Sequence, residues 1–232
     1  MTRILAIDSS NAHCSVALNC DGRITRRDSN EDRQHARKML PMISSLLQEQ
    51  QLGVSDLDAI AIVNGPGSFT GLRIGAGIAQ GLAFGADIPI TGVSSLAVMA
   101  MKAHRQTGCT HLLVCLAARD NEIYSGAYCV EGDDVVLLGN EQVGPAELKC
   151  FTHVNSASLA RVDWVGVGDA WRDGVLLSSG ASLNITVGTN IDCLPDASIL
   201  SELAQVRFKK GHATAAAQAL PVYLKEQMDY QE

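Results

Sequence analysis

Apolar and polar positions follow two rhythms along the chain, and the strand rhythm comes first. "RILAID" (Arg3 to Asp8) is a nearly continuous apolar run, the pattern of a buried central strand. "CSVALN" (Cys14 to Asn19) follows a short polar turn, and Asp21-Gly22 is a hairpin signal leading into "RITRR" (Arg23 to Arg27). Together they predict a three-stranded meander. The helical rhythm then takes over: Met39, Met42, Ile43, Leu46 and Leu47 recur at i, i+3, i+4, i+7 and i+8, predicting an amphipathic helix from about Arg33 to Gln50. Ser29 or Asn30 can cap it, and Glu31 and Asp32 suit its first turn. Pro41 lies inside the pattern, removes one backbone hydrogen bond and predicts a kink near Arg37. "DAIAIVNG" reads as a further buried strand, a glycine-rich helix follows, and "DIPITGV" (Asp87 to Val93) reads as the fifth strand.

The second half repeats the theme. "HLLVCLAARDNEIYSGAYCVEGDDVVLLG" reads strand, turn, strand, turn, strand, like the opening meander. A short helical patch (Ala146 to Phe151), a strand at "WVGVG", a weaker one at "NITVG" and an amphipathic helix from about Asp196 to Phe208 complete it. No long linker separates the halves. The pattern predicts a duplicated meander-plus-αβ unit, with the tail "ATAAAQALPVYLKEQ" packing back on the first.

Composition narrows the class. No run reaches the ~18 to 20 apolar residues of a membrane span, and the start enters a strand without a signal-peptide pattern. Seven scattered cysteines (Cys14, Cys20, Cys109, Cys115, Cys129, Cys150, Cys193) include no C-x-x-C pair and read as small hydrophobes in a reducing compartment. A soluble cytoplasmic protein is expected. The net charge of −7 arises wholly in residues 104–232, where nine Lys/Arg face sixteen Asp/Glu; residues 1–103 carry nine of each. With only "RITRR" and "RFKK" as basic clusters, tight RNA binding by this chain alone is not expected.

The candidate chemistry centres on Ile60 to Gly85, which holds seven of the 21 glycines. "NGPGSFTGLRIG" lacks the lysine-hydroxyl pair of a Walker loop and the G-x-S-x-G of a nucleophile elbow. Gly65, Gly67 and Gly71 also miss the dinucleotide spacing by one residue. An anion at the helix N-terminus remains an open reading. By helical spacing, Gly71, Gly75, Ile78, Gly81, Leu82 and Gly85 share one face. Each interior glycine costs roughly 1 kcal/mol against alanine, so close approach of another backbone is implied, either the protein's own sheet or a partner helix. Asp8 with Ser9 and Ser10 stands where a nucleotide-binding protein would place an acid and a phosphate turn, but this turn has no glycine. Arg119, Asp120 and Glu122 at a hairpin read as a structural ion-pair cluster, and the histidines assemble no triad.

Six segments in order, "ILAIDSS…CSVAL", "RQHARKMLP", "GPGSFTGLRIG…AQGLAFG", "PITGVSSL", "AARDNEIY" and "PVYL", resemble the TsaB family, also called YeaZ. The resemblance implies an α/β, actin-like (ASKHA) fold of two duplicated lobes with the second reduced: residues 1–103 plus 213–232, and 104–212. It also implies a paralogue of TsaD, the catalytic, metal- and nucleotide-binding subunit of threonylcarbamoyl transfer to tRNA. TsaD-like proteins carry metal-ligating histidines after the strand corresponding to "PITGV"; here "SSLAVMA" (Ser94 to Ala100) has none, so no catalytic residue, metal or cofactor is expected. Where the family commonly reads D-A-R, this chain has Ala117-Ala118-Arg119, with Asp120 close enough to substitute in part.

Family members pair through the two helices of the first lobe, with themselves as a homodimer or with TsaD, and the small ATPase TsaE joins the assembly. The resemblance thus implies partner contacts on helices at about Arg33 to Gln50 and Phe69 to Phe84, no membrane, and tRNA only indirectly. Helical phase selects Arg37, Met39, Leu40, Ile43 and Leu47 on the first helix. On the second it selects Leu72, Arg73, Gly75, Ile78, Ala79 and Leu82. The implied function is a non-catalytic scaffold that activates TsaD. The alternatives are a stand-alone nucleotide-dependent enzyme or peptidase of the actin-like superfamily, and a chaperone-like homodimer acting without TsaD.

Overall fold

The computed structural model describes residues 1–29, 34–146, 162–172, 185–187 and 194–224. The chain divides into two units, the first comprising Met1–Val98 and Pro195–Val222, the second built on Met99–Leu194.

In the first unit the predicted meander forms as β1 (Arg3–Asp8), β2 (Cys14–Cys20) and β3 (Arg23–Ser29). The β2–β3 turn uses Asp21 and Gly22, both at positive φ, as a two-residue hairpin requires. The strands β4 (Ala59–Gly65) and β5 (Ile90–Ser94) add in parallel beside β1, giving the order β3-β2-β1-β4-β5. The fifth strand starts at Ile90, not Asp87, because Asp87 caps the preceding helix in the left-handed conformation.

The two faces of this sheet differ in side-chain size, and that decides which helix covers which. Leu5, Ile7, Val16, Leu18, Ile60 and Ile62 form a bulky face covered by α1 (His35–Glu49) and α2 (Phe69–Ala86). By strand alternation, Ala6, Ala17, Ala59 and Ala61 occupy the opposite face. Onto those small residues packs α4 (Ala197–Lys209), through Leu200, Leu203 and Ala204. Asn19 Nδ2 donates to the Ser201 carbonyl at 3.4 Å, and Ser15 Oγ accepts the Ala197 N–H at 3.0 Å. The expected division left residues 195–212 in the second lobe. The structure moves Pro195 onward into the first unit, because the alanine face of its sheet would otherwise lie uncovered.

The helix starts also differ from expectation. With Gln34 at its cap and no side-chain cap bond, α1 begins at His35 and continues through Pro41. Of the expected capping residues, Ser29 ends β3, and Asn30–Arg33 lie outside the described residues. The tail runs back along the first unit. Thr214 exchanges both backbone hydrogen bonds with Ile90 at 2.8 and 2.9 Å, and Val222 N–H donates to the Asn64 carbonyl at 2.7 Å.

From α3 (Ser95–Thr107), whose residues up to Val98 count with the first unit, the chain enters β6 (His111–Ala117), β7 (Glu122–Glu131) and β8 (Asp134–Leu137), an antiparallel meander in the second unit. Its first hairpin turns at Asp120 and Asn121, both at positive φ. An additional strand, β9 (Gln142–Pro145), which the sequence pattern does not announce, pairs with the start of β7. The parallel strands β10 (Trp164–Val167) and β11 (Ile185–Val187) then add beside β6. The order β8-β7-β6-β10-β11 and its strand directions repeat those of the first sheet, so the predicted duplication is present in the topology. Trp164 and Trp171 fill the core of this unit, and Trp171 Nε1 donates to the Leu113 carbonyl at 2.9 Å. Apart from Ala146, the predicted patch Ala146 to Phe151 lies outside the described residues. Among the described residues no helix is long and apolar enough to cross a membrane.

Candidate functional site

The glycine-rich loop and the end of β1 meet where an open α/β sheet commonly binds an anion, at strand carboxyl ends facing a helix N-terminus. Here the chain fills that place itself. The Ser10 carbonyl accepts the Ser68 N–H at 2.7 Å, and Ser9 Oγ donates to the Gly71 carbonyl at 2.8 Å. Ser68 Oγ caps α2 by accepting the Gly71 N–H at 3.2 Å. A Cβ at Gly71 would overlap the Ser9 carbonyl oxygen, and one at Gly75 would overlap Ser9 Oγ. These two glycines therefore admit the chain's own turn, the internal alternative of the two that the sequence left open. The turn also presents carbonyl oxygens where a phosphate needs donors. A nucleotide phosphate does not fit this cradle, and the anion-site reading is corrected.

Asp8, which ends β1, is buried under the same turn. Its Oδ1 accepts both the Ser10 N–H at 2.9 Å and the Ser10 hydroxyl at 2.7 Å. Burial pushes its carboxyl above the usual carboxylate range; the Ser10 hydrogen bonds oppose that, Asp196 adds to it and His35 opposes it. Being sealed from solvent, the carboxylate has no open side on which to meet a substrate. His35, His104 and His111 engage the Asn11 carbonyl, the Cys109 carbonyl and Cys129 Sγ, at 2.8, 2.8 and 3.7 Å, rather than a serine nucleophile. The acid beside Ala117 is Asp169, whose Oδ1 accepts the Ala117 N–H at 2.7 Å, and not the expected Asp120.

On the bulky face of the first sheet α1 and α2 lie side by side. Their inward sides are core. Of the residues that helical phase selected for a partner, Met39, Ile43, Leu47, Leu72, Gly75 and Ala79 are buried within the chain alone. Ile78 and Leu82 are partly buried against the same core. Only Arg37, Leu40 and Arg73 are exposed. The physical reason is direct: the apolar stripe of a surface helix faces its own core, so choosing that stripe selects residues the chain itself buries.

The outward side has a different composition. It presents Leu40 (48% exposed) and Pro41 from α1, and Phe69 (48%) and Phe84 (83%) from α2. Arg73 stacks its guanidinium over the Phe69 ring at 3.8 Å. Between these aromatics Gly77, Gly81 and Gly85 recur every fourth residue, and a Cβ at any of them would meet nothing within 4 Å. The glycine face expected from the sequence thus splits, with Gly71 and Gly75 inward and Gly81 and Gly85 outward beside Gly77. Phe69, Gly77 and Phe84, which helical phase did not select, share this outward side. The signal for them was the buried stripe Leu72, Ala76, Ala79 and Ala83, whose opposite side they occupy.

Two sheets repeating one order, each meander followed by parallel strands, define a two-lobed α/β protein of the actin-like class. Residues 29–163 match the TsaD family, described as tRNA N6-adenosine threonylcarbamoyltransferase. The chain is 36% identical to the tRNA threonylcarbamoyladenosine biosynthesis protein TsaB of Escherichia coli (strain K12), over 99% of this chain and 97% of that one. It is 35% identical to the protein of that name from Haemophilus influenzae, over 99% and 96%. The solved structure of YeaZ from Pseudomonas aeruginosa aligns with a TM-score of 0.82 at 36% identity, over 97% of this chain and 100% of that one. The chain belongs to the TsaB (YeaZ) family of tRNA threonylcarbamoyladenosine biosynthesis proteins.

Proposed function

We propose that this chain is a non-catalytic scaffold that binds and activates the TsaD-type transferase for threonylcarbamoyl transfer to tRNA adenosine. The observation that carries this reading is the self-filled cradle beside α2, which leaves the chain no phosphate site there while α2 turns an apolar, small-residue face outward. On this reading the outer faces of α1 and α2 form the partner surface. Leu40, Phe69 and Phe84 anchor it, Arg37 and Arg73 stand at its polar margin, and Gly77 and Gly81 let a partner helix come close. The same face serves a homodimer when the transferase is absent, TsaE joins the assembly, and tRNA is met only through the complex. Against the peptidase alternative stand His35 and His104, engaged with backbone carbonyls, and Cys129 beside His111, whose thiol burial pushes up, away from the reactive thiolate.

The test is tRNA modification reconstituted with the transferase and its partners, with this chain omitted and then restored as wild type or as Gly81→Leu. We expect activity to require the chain, and the leucine variant to fold but neither bind nor rescue. Transfer by the chain alone, or full activity without it, overturns the scaffold reading. Normal rescue by Gly81→Leu overturns the assigned face.

A further inference from the structure

The turn that fills the cradle touches both helices of the outward face. Ser9 Oγ and the Ser10 carbonyl tie it to the first turn of α2, at Gly71 and Ser68. The Asn11 carbonyl ties it to the first turn of α1, where His35 Nε2 lies at 2.8 Å. The turn itself is held from below by one group. Asp8 Oδ1 takes the Ser10 N–H and hydroxyl, and Asn11 Nδ2 reaches Asp8 Oδ2 at 3.5 Å. Asn11 Oδ1 in turn accepts the His13 N–H at 2.8 Å, which closes the loop onto β2. A buried carboxylate is costly to maintain and is retained where its hydrogen bonds specify geometry. This one is enclosed by the chain, 1% exposed.

We propose that Asp8 is a positioning residue for the α1/α2 face: through the Ser9–Asn11 turn it fixes the first turns of both helices relative to β1, and with them the spacing that a partner meets. The inference rests on the reading of that face as the partner surface. Its structural half stands independently of that reading. Because the ties are distinct, their loss leaves distinct patterns. Removing the Ser9 hydroxyl frees α2 only. Removing the Asp8 carboxylate frees the whole turn and so loosens both helices. Asparagine at position 8 keeps an oxygen where Oδ1 accepts from Ser10, so it preserves both Ser10 ties and gives up only the long one from Asn11 Nδ2.

The test compares wild type, Ser9→Ala, Asp8→Ala and Asp8→Asn by amide hydrogen exchange of the isolated chain, followed by binding to the threonylcarbamoyltransferase of the same cell. Losing one hydrogen bond of this kind speeds local opening roughly fivefold. Ser9→Ala is therefore expected to accelerate exchange about fivefold in the first turns of α2, leaving α1 unchanged. Asp8→Ala accelerates the first turns of both helices, with their last turns unaffected, and weakens binding about tenfold. Asp8→Asn restores both. Uniform acceleration over the whole unit in Asp8→Ala, or loosening confined to one helix, overturns the positioning role. Should Asp8→Ala fail to fold, the contrast of Ser9→Ala with Asp8→Asn decides: equal exchange at α2 in the two variants refutes the proposal. Failure of the wild-type chain to bind the transferase would instead count against the partner reading and leave the exchange pattern to judge Asp8.

Discussion

Changing Gly77, Gly81 and Gly85 together to alanine should have opposite effects on the isolated chain and on its complex. In the chain alone a Cβ at each position meets nothing within 4 Å, so no contact is strained. What remains is the backbone term: alanine restricts the unfolded chain and favours the helix by about 0.4 to 1 kcal/mol per site. Gly85 is next to the last residue of α2 and contributes least. The three changes therefore sum to roughly 1 to 3 kcal/mol of stabilisation, and a shift of about 3 to 10 °C in melting temperature for a chain of this size. In the complex, three methyl groups would stand where a partner helix is proposed to approach most closely, and overpacking of this kind costs about 1 to 3 kcal/mol.

Gly75 supplies the internal control, two residues from Gly77 on the same helix. A Cβ there would overlap Ser9 Oγ, which its bond to the Gly71 carbonyl holds in place. Gly75→Ala should therefore lower the melting temperature despite the same gain in helix propensity. Thermal unfolding of the isolated chain and calorimetric titration with the transferase read the two effects separately. Destabilisation of the isolated chain by the triple variant would show that the outward glycines are internal after all. Unchanged transferase affinity in a stabilised triple variant would refute close helix packing at this face.

Three further outcomes follow from single contacts. Asp196 caps α4 by accepting the Ser198 and Ile199 N–H groups at 3.0 and 3.2 Å, with Arg26 at 3.6 Å, so Asp196→Ala should cost about 1 to 2 kcal/mol in denaturant unfolding. Trp171→Phe removes the hydrogen bond that the indole N–H donates to the Leu113 carbonyl and leaves space in the second core; a loss of about 1 to 3 kcal/mol is expected by the same assay. Asp8 carries a pH signature. Its carboxyl titrates higher folded than unfolded, so between those two values the folded state holds more protons and stability falls as pH rises. Asp8→Asn should flatten that fall in denaturation curves taken from about pH 4 to about pH 8, whereas a slope unchanged in the variant would refute its assignment to Asp8.

What was legible in the sequence was whatever depends on local period. The strands β1 to β4 and β6 to β8 follow from apolar runs and hairpin residues, and the duplication follows from reading two such meanders in series. The helices were legible as helices, but their orientation was not, because α2 is small-sided all round: Leu72, Ala76 and Ala79 on one side, Gly77, Gly81 and Gly85 on the other. Period alone cannot say which of two small faces meets the sheet. The bulk of Leu5, Ile7, Ile60 and Ile62 decides it, and those residues are distant in sequence. The lobe boundary failed for a similar reason. Nothing within α4 says that it returns to cover an alanine face made some 140 to 200 residues earlier. The Ser9–Ser10 turn was noticed only for the glycine it lacks. Its role as an occupant appears only once Gly71 and Gly75 are seen to make room for it.

That occupation links two features that look separate in the sequence. A phosphate turn must keep its backbone N–H groups free and its surroundings open, and a loop built so is held in place by its ligand. Here the Ser68 N–H is spent on the Ser10 carbonyl, and the Gly71 carbonyl is spent on Ser9. The first turn of α2 is thus fixed without any ligand, and through Asn11 and His35 the first turn of α1 is fixed with it. The same hydrogen bonds that close the cradle to a nucleotide hold two helices in one arrangement before any partner arrives. On the proposed scaffold reading, preorganisation of this kind lowers the ordering cost of association. On that reading a filled cradle and a ready docking face rest on one set of hydrogen bonds. A variant that reopens the cradle, such as Ser9→Gly, should accordingly weaken partner binding without gaining affinity for nucleotide.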